Sequence, residues 1–122
     1  MHRRKRGRGT ILFTGATASV RGGSGFSAFS SAKFGLRALA QAAARELGPK
    51  NIHVVHLLID AGVDSAAIHQ RMKAASGIDA KDIPADSLTK TKSIAEAYWF
   101  AHHQARDGWT HELDLRPFGE KW

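Results

Sequence analysis

The sequence predicts an α/β fold, with about three parallel strands in one sheet and helices between them. Three observations predict it. Residues 52–59 (Ile-His-Val-Val-His-Leu-Leu-Ile) are almost continuously apolar, as befits a strand covered on both faces. Two stretches carry helical spacing, 26–47 and 93–106, and they alternate with strand-like runs. The resulting order is strand, helix, strand, helix, helix, strand, which demands crossovers rather than hairpins.

The elements follow in order. Thr10-Ile11-Leu12-Phe13-Thr14 is rich in strand formers and lies between Gly9 and Gly15, so it reads as a buried first strand. Residues 15–25 form a loop, with Gly22, Gly23 and Gly25 freeing the backbone. A long helix then runs from Gly25 or Phe26 to Leu47, with Phe29, Leu36, Ala40, Ala43 and Leu47 on its apolar stripe. Gly48 and Pro49 are expected to stop it. After the 52–59 strand, residues 60–65 turn and residues 66–75 form a short helix. Residues 77–92 are polar, contain Pro84 and read as a mobile loop. Ser93-Ile94-Ala95-Glu96 has the form of a capping box and is expected to open a helix reaching Arg106. Residues 109–115 are the third strand. Residues 10–122 therefore make one domain, preceded by a basic arm at 1–9.

The 122 residues carry a formal charge of +7, and it is concentrated. Arg3, Arg4, Lys5, Arg6 and Arg8 lie within eight residues, and the rest of the chain sets 13 basic against 11 acidic groups. Such an arm can meet nucleic acid or an anionic surface. No aromatic residue is interleaved to stack on bases, so a solvated terminus is the expectation and nucleic acid is not an expected partner. With no cysteine, disulfides and thiolate metal sites are excluded. No apolar run reaches the length of a membrane span and no signal-peptide core is evident, so a cytoplasmic protein without a membrane partner is expected.

The seven histidines lack metal-ligand spacing, and no metal is expected. His53 and His56 are three apart on a strand and face opposite sides. His102 and His103 are neighbours on a helix and are expected to diverge. Ser24 lies between Gly23 and Gly25, but the pattern around it is not a nucleophile elbow.

Phe29-Ser30-Ser31-Ala32-Lys33 has the form of a Tyr-x-x-x-Lys site whose tyrosine is phenylalanine. Positions 29 and 33 are one helical turn apart and share a face. That face should look into the mouth beyond the carboxyl ends of the strands, where open α/β sheets bind ligands. With this stretch go the strand at 10–14, the phrase Ala44-Arg45-Glu46-Leu47-Gly48, the turn Asp60-Ala61-Gly62-Val63-Asp64-Ser65 and the closing Glu112-Leu113-Asp114-Leu115. In their order and spacing they resemble the C-terminal half of a short-chain dehydrogenase/reductase (SDR), across nearly all of residues 8–122. The resemblance implies a partial Rossmann-like, doubly wound sheet. It also implies NAD(P)-dependent hydride transfer on a carbonyl or alcohol, with NAD or NADP as cofactor. By resemblance, the nicotinamide side of the cofactor would meet Thr14, Gly15, Lys33, Ile59, Val63 and Ser65.

The departures from the family pattern shape the expectation. The family's serine falls on Ala16 and its tyrosine on Phe29, so only Lys33 of the catalytic trio remains. Thr14, Thr17 and Ser19 are nearby hydroxyls, and Thr14 or Thr17 is the expected substitute proton donor. The turn that begins at Asp60 lacks the proline of the family's Pro-Gly turn. No Gly-x-Gly-x-x-Gly fingerprint occurs, so little of the pyrophosphate grip is present, and little or no activity is expected of the chain alone. A second function class stands beside the first: a non-catalytic module that oligomerises with itself or with a longer relative. The 10–14 strand would leave an open sheet edge, which favours association.

Overall fold

The structure, a computed structural model, describes residues 7–121; most of the expected basic arm lies outside these. Three strands form one sheet in the order β1-β2-β3, with β1 at Gly9–Ala16, β2 at Ile52–Ile59 and β3 at Glu112–Leu115. Both pairings are parallel. Helix α1 (Ser27–Leu47) joins β1 to β2, while α2 (Ala66–Ser76) and α3 (Thr91–His102) lie between β2 and β3. The predicted doubly wound α/β class is therefore what the chain adopts.

The eight residues of β2 are all buried, as their unbroken apolar run requires of a central strand. Val54, Val55, Leu57 and Leu58 are at most 3% exposed and form the heart of the core with Ala40 of α1 and Ala101 of α3. Fully burying such a side chain contributes about 1.5–3 kcal/mol. Strand alternation sends Thr10 and Thr14 to one face and Phe13 and Gly15 to the other. Thr10 Oγ1 meets His102 Nδ1 at 2.8 Å, and the Thr14 hydroxyl meets that of Tyr98, so α3 covers the first face. Helix α1 covers the second.

A polar chain ties α1 to the sheet on that second face. Arg37 donates from Nε to Glu112 Oε1 at 2.8 Å and from Nη2 to Oε2 at 3.0 Å. Glu112 also meets His56 Nδ1 at 3.1 Å. Burial pushes the Glu112 carboxyl up, but hydrogen bonds from Arg37 and His56, with the charge of both, outweigh it. The group is held below the ordinary carboxylate range. On the other face, His53 stacks on Trp109 with centroids 4.7 Å apart, so the two strand histidines do face opposite sides.

Several local expectations are corrected. Helix α3 begins at Thr91 after Lys90, with no side-chain cap, so Ser93 and Glu96 lie inside it rather than forming a capping box. Its end at His102 falls short of Arg106, where a short 3-10 turn (Arg106–Gly108) precedes β3. Gly48 is right-handed at φ −54°, and a 3-10 turn (Gly48–Lys50) continues α1. The left-handed residue that ends the turn is Asn51 at φ 64°, a conformation that asparagine tolerates better than most residues. Phe29 leaves the expected apolar stripe and is 49% exposed. The rings of His102 and His103 do not diverge but meet edge-on at 4.9 Å. The 77–92 segment is more structured than a plain loop. It holds a 3-10 turn at Ala80–Asp82, and Thr89 forms a parallel bridge with Val63. No described helix is long and apolar enough to cross a membrane.

Candidate active site

The carboxyl ends of β1 and β2 open into a cleft of about 410 Å³, whose lining includes Ala16, Thr17, Arg21, Phe26, Phe29 and Ile59. Parallel strands place both tips at one end of the sheet, and α1 enters beside them. The two positions that depart from the family pattern, Ala16 and Phe29, therefore face the same space. One wall is apolar, and the polar groups gather at the strand tips.

Lys33 lies one turn after Phe29. Its Nζ donates to the Thr14 carbonyl at 3.3 Å and is 5.9 Å from the centre of the Phe29 ring. The ammonium is thus held beside the cleft by the backbone of β1 and by an aromatic face.

Thr17 sits in a short 3-10 turn (Thr17–Ser19) that ends β1. Its hydroxyl donates to Asp60 Oδ1 at 2.5 Å. Asp60 directly follows β2 and is 1% exposed. Arg21 Nη2 lies 3.7 Å from its Oδ2, and Arg116 Nε lies 3.5 Å from the same oxygen. Two guanidinium groups and a hydroxyl thus satisfy a carboxylate that burial alone would penalise heavily. Ser19 is fully buried, and its Oγ accepts from the Ala16 N–H at 3.0 Å, which fixes the turn.

The remaining predicted residues divide. Gly15 is buried, and its lack of a Cβ admits the His56 ring. Ile59 lines the cleft. The Thr14 hydroxyl is on the α3 face with Tyr98. Val63 lies in the bridge to Thr89, and Ser65 caps α2 by accepting from Ile68 N–H at 3.3 Å. The structure therefore gathers Thr17 and Ile59 on the cleft, sets Lys33 against the Thr14 carbonyl, and places Val63 and Ser65 farther along the chain. Asp60 and Arg21 were missed as functional residues. The available signal was an acidic residue, Asp60, directly after an apolar strand and opening a turn that lacks the family's proline.

A model of the short chain dehydrogenase family matches residues 1–74. The chain belongs to the short chain dehydrogenase family. Among solved structures, a short-chain dehydrogenase from Rhodopseudomonas palustris is 45% identical, with a TM-score of 0.66 over 94% of this chain and 41% of that one. A serine dehydrogenase complexed with NADP+ is 18% identical, with a TM-score of 0.78 over 97% of this chain and 48% of that one. A short chain oxidoreductase from Pseudomonas aeruginosa PAO1, NADPH-bound and described as containing an atypical catalytic centre, is 23% identical, with a TM-score of 0.72 over 93% and 46%. The last two likenesses concern the fold alone. This chain spans less than half the length of each of these proteins. No curated protein matches it.

The SDR residues present suit one side of a nicotinamide dinucleotide better than the whole of it. Lys33 holds an ammonium beside the strand tips, as a ribose contact requires. A glycine fingerprint for the pyrophosphate is missing from the sequence.

Proposed function

We propose that this chain forms the substrate-side half of an NAD(P)-dependent oxidoreductase acting on a carbonyl or alcohol. The observation that carries the reading is the position of the Lys33 ammonium, 3.3 Å from the Thr14 carbonyl beside a cleft at the strand tips. In this reading Lys33 holds ribose hydroxyls. The backbone at Thr14 and Gly15, with Ile59, Val63 and Ser65, borders the nicotinamide. Thr17, or Thr14 after rotation away from Tyr98, replaces the missing proton donor. The cofactor, when bound, supplies or accepts the hydride. NADP+ and NADPH in the structural neighbours support NAD or NADP as the cofactor class.

Fluorescence titration with NADPH and NADH tests the reading. Saturable binding that Lys33→Ala weakens at least tenfold supports it. An absence of binding at millimolar cofactor refutes it for this chain.

A second reading, an oligomerisation module, is favoured by a specific observation. Strand β1 pairs only with β2, so its other edge is open among the described residues. Open edges recruit further strands, from another copy or from a longer relative. Association without nucleotide binding would select this reading.

A further inference from the structure

We propose that Thr17 and Asp60 form a proton relay serving the cleft, in the place where the family uses its tyrosine. The proposal rests on the oxidoreductase reading above and deepens it. Thr17 lines the cleft together with Ala16 and Phe29. Its hydroxyl points its proton at Asp60 Oδ1, 2.5 Å away. A hydroxyl has one proton and two lone pairs. With the proton committed to Asp60, the lone pairs of Thr17 are what remains for a substrate.

Such a hydroxyl accepts a proton while passing on its own. In the oxidative direction the alcohol O–H bond breaks and its proton joins Thr17 Oγ1. The original Thr17 proton moves to Asp60 Oδ1, leaving a neutral carboxyl group. A nicotinamide cofactor, where bound, would take up the carbinol hydrogen with its electron pair as the C=O bond forms, so the residues of this chain handle only the proton. Reduction runs the same transfers backwards, and charge balances in both directions. The ligand class is therefore a secondary or primary alcohol and its carbonyl partner, with an apolar body against Phe26, Phe29 and Ile59.

The surroundings of Asp60 orient it toward Thr17. Arg21 and Arg116 both lie by Oδ2, which leaves Oδ1 to Thr17. Arg116 is shared with Asp114, at 3.0 Å from its Oδ2. The Asp60 backbone N–H is tied to the Leu115 carbonyl at 2.8 Å, so the main chain that carries the carboxylate is also fixed. Lys33 adds a further cation near the end of β1, 3.3 Å from the Thr14 carbonyl.

The test measures cyclohexanol oxidation with NADP+ and NAD+ from pH 6 to 10, in the unmodified chain and in Thr17→Val, Thr17→Ser and Asp60→Asn. A companion NMR titration follows cyclohexanol binding without cofactor through the methyl groups of Ala16 and Ala18, which line the cleft in every variant. Loss of general base catalysis is worth about 10²–10⁴-fold. Thr17→Val should fall by at least a hundredfold and bind cyclohexanol about fivefold more weakly. Thr17→Ser should stay within tenfold of the unmodified chain. Asp60→Asn, if folded, should lose turnover by at least a hundredfold while binding cyclohexanol as well as the unmodified chain does. Equal turnover in Thr17→Val and the unmodified chain overturns the relay and leaves the oxidoreductase reading standing. Absence of turnover by the unmodified chain across the whole range overturns both.

Discussion

Gly15 and His56 compete for one volume: a methyl group on Gly15 would lie 2.2 Å from His56 Nε2 and 2.8 Å from Ser19 Oγ. His56 is fully buried and held from its other nitrogen by Glu112, so its ring cannot retreat without breaking that bond. Gly15→Ala should lower stability by about 1–3 kcal/mol or more through overpacking. Thermal unfolding measures it. Adding His56→Ala should recover part of the loss, because residues that share a space couple. Additive losses would show that the contact is not the cause.

The Arg37–Glu112 clasp makes an acid-sensitive contribution whose sign can be worked out. The Glu112 carboxyl is lowered from 4.5 in the folded chain. The unfolded chain therefore binds this proton more readily. The stabilisation is complete above the unfolded value and is lost as pH falls through the lower folded one. Glu112→Gln should flatten the stability profile below about pH 5, read by urea melts at successive pH values. At neutral pH it should cost about 1–2 kcal/mol, since a quarter to a third of each side chain still meets water and screening discounts the pair.

The fold was largely legible in the sequence, and the site only in part. The apolar run of β2 and the spacing in α1 are local patterns, and they predict elements without knowledge of neighbours. Ser93 and Glu96 misled because the helix already begins at Thr91, directly after the extended Lys90, so the capping residues fell inside the first turns. Phe29 misled because its helical spacing is that of a core residue, whereas its place over the cleft depends on where β1 ends. Lys33 was legible because a known motif names it. Asp60 was not, because its role comes from a hydroxyl 43 positions away that only the parallel β1–β2 register brings beside it.

Association can be tested on α1. Phe34 and Leu39 are 44% and 57% exposed on this helix, and Leu12 on the open strand is 39% exposed. Helices equivalent to α1 commonly pair in the family that the sequence resembles. Leu39→Lys should weaken self-association at least tenfold in sedimentation velocity, by placing a charge in a desolvated contact. An unmodified chain that remains monomeric at high micromolar concentration would count against both the open-edge and the helix routes.

Restoring the family's hydroxyls separates a missing proton donor from a missing cofactor grip. The Phe29 ring faces the cleft, with the Lys33 ammonium 5.9 Å from its centre. A hydroxyl added by Phe29→Tyr would extend the same ring into the space bordered by Ala16, and Ala16→Ser would add a second donor there. General acid catalysis is typically worth about 10²–10⁴-fold. Set above what the Thr17–Asp60 relay already supplies, the double variant should reduce a simple ketone about tenfold faster than the unmodified chain, followed by loss of NADPH absorbance. If NADPH binds equally to both proteins and the rate does not rise, the tyrosine hydroxyl is not what limits this cleft. If neither protein binds NADPH, the limit lies in the dinucleotide grip, and no repair at positions 16 and 29 can overcome it.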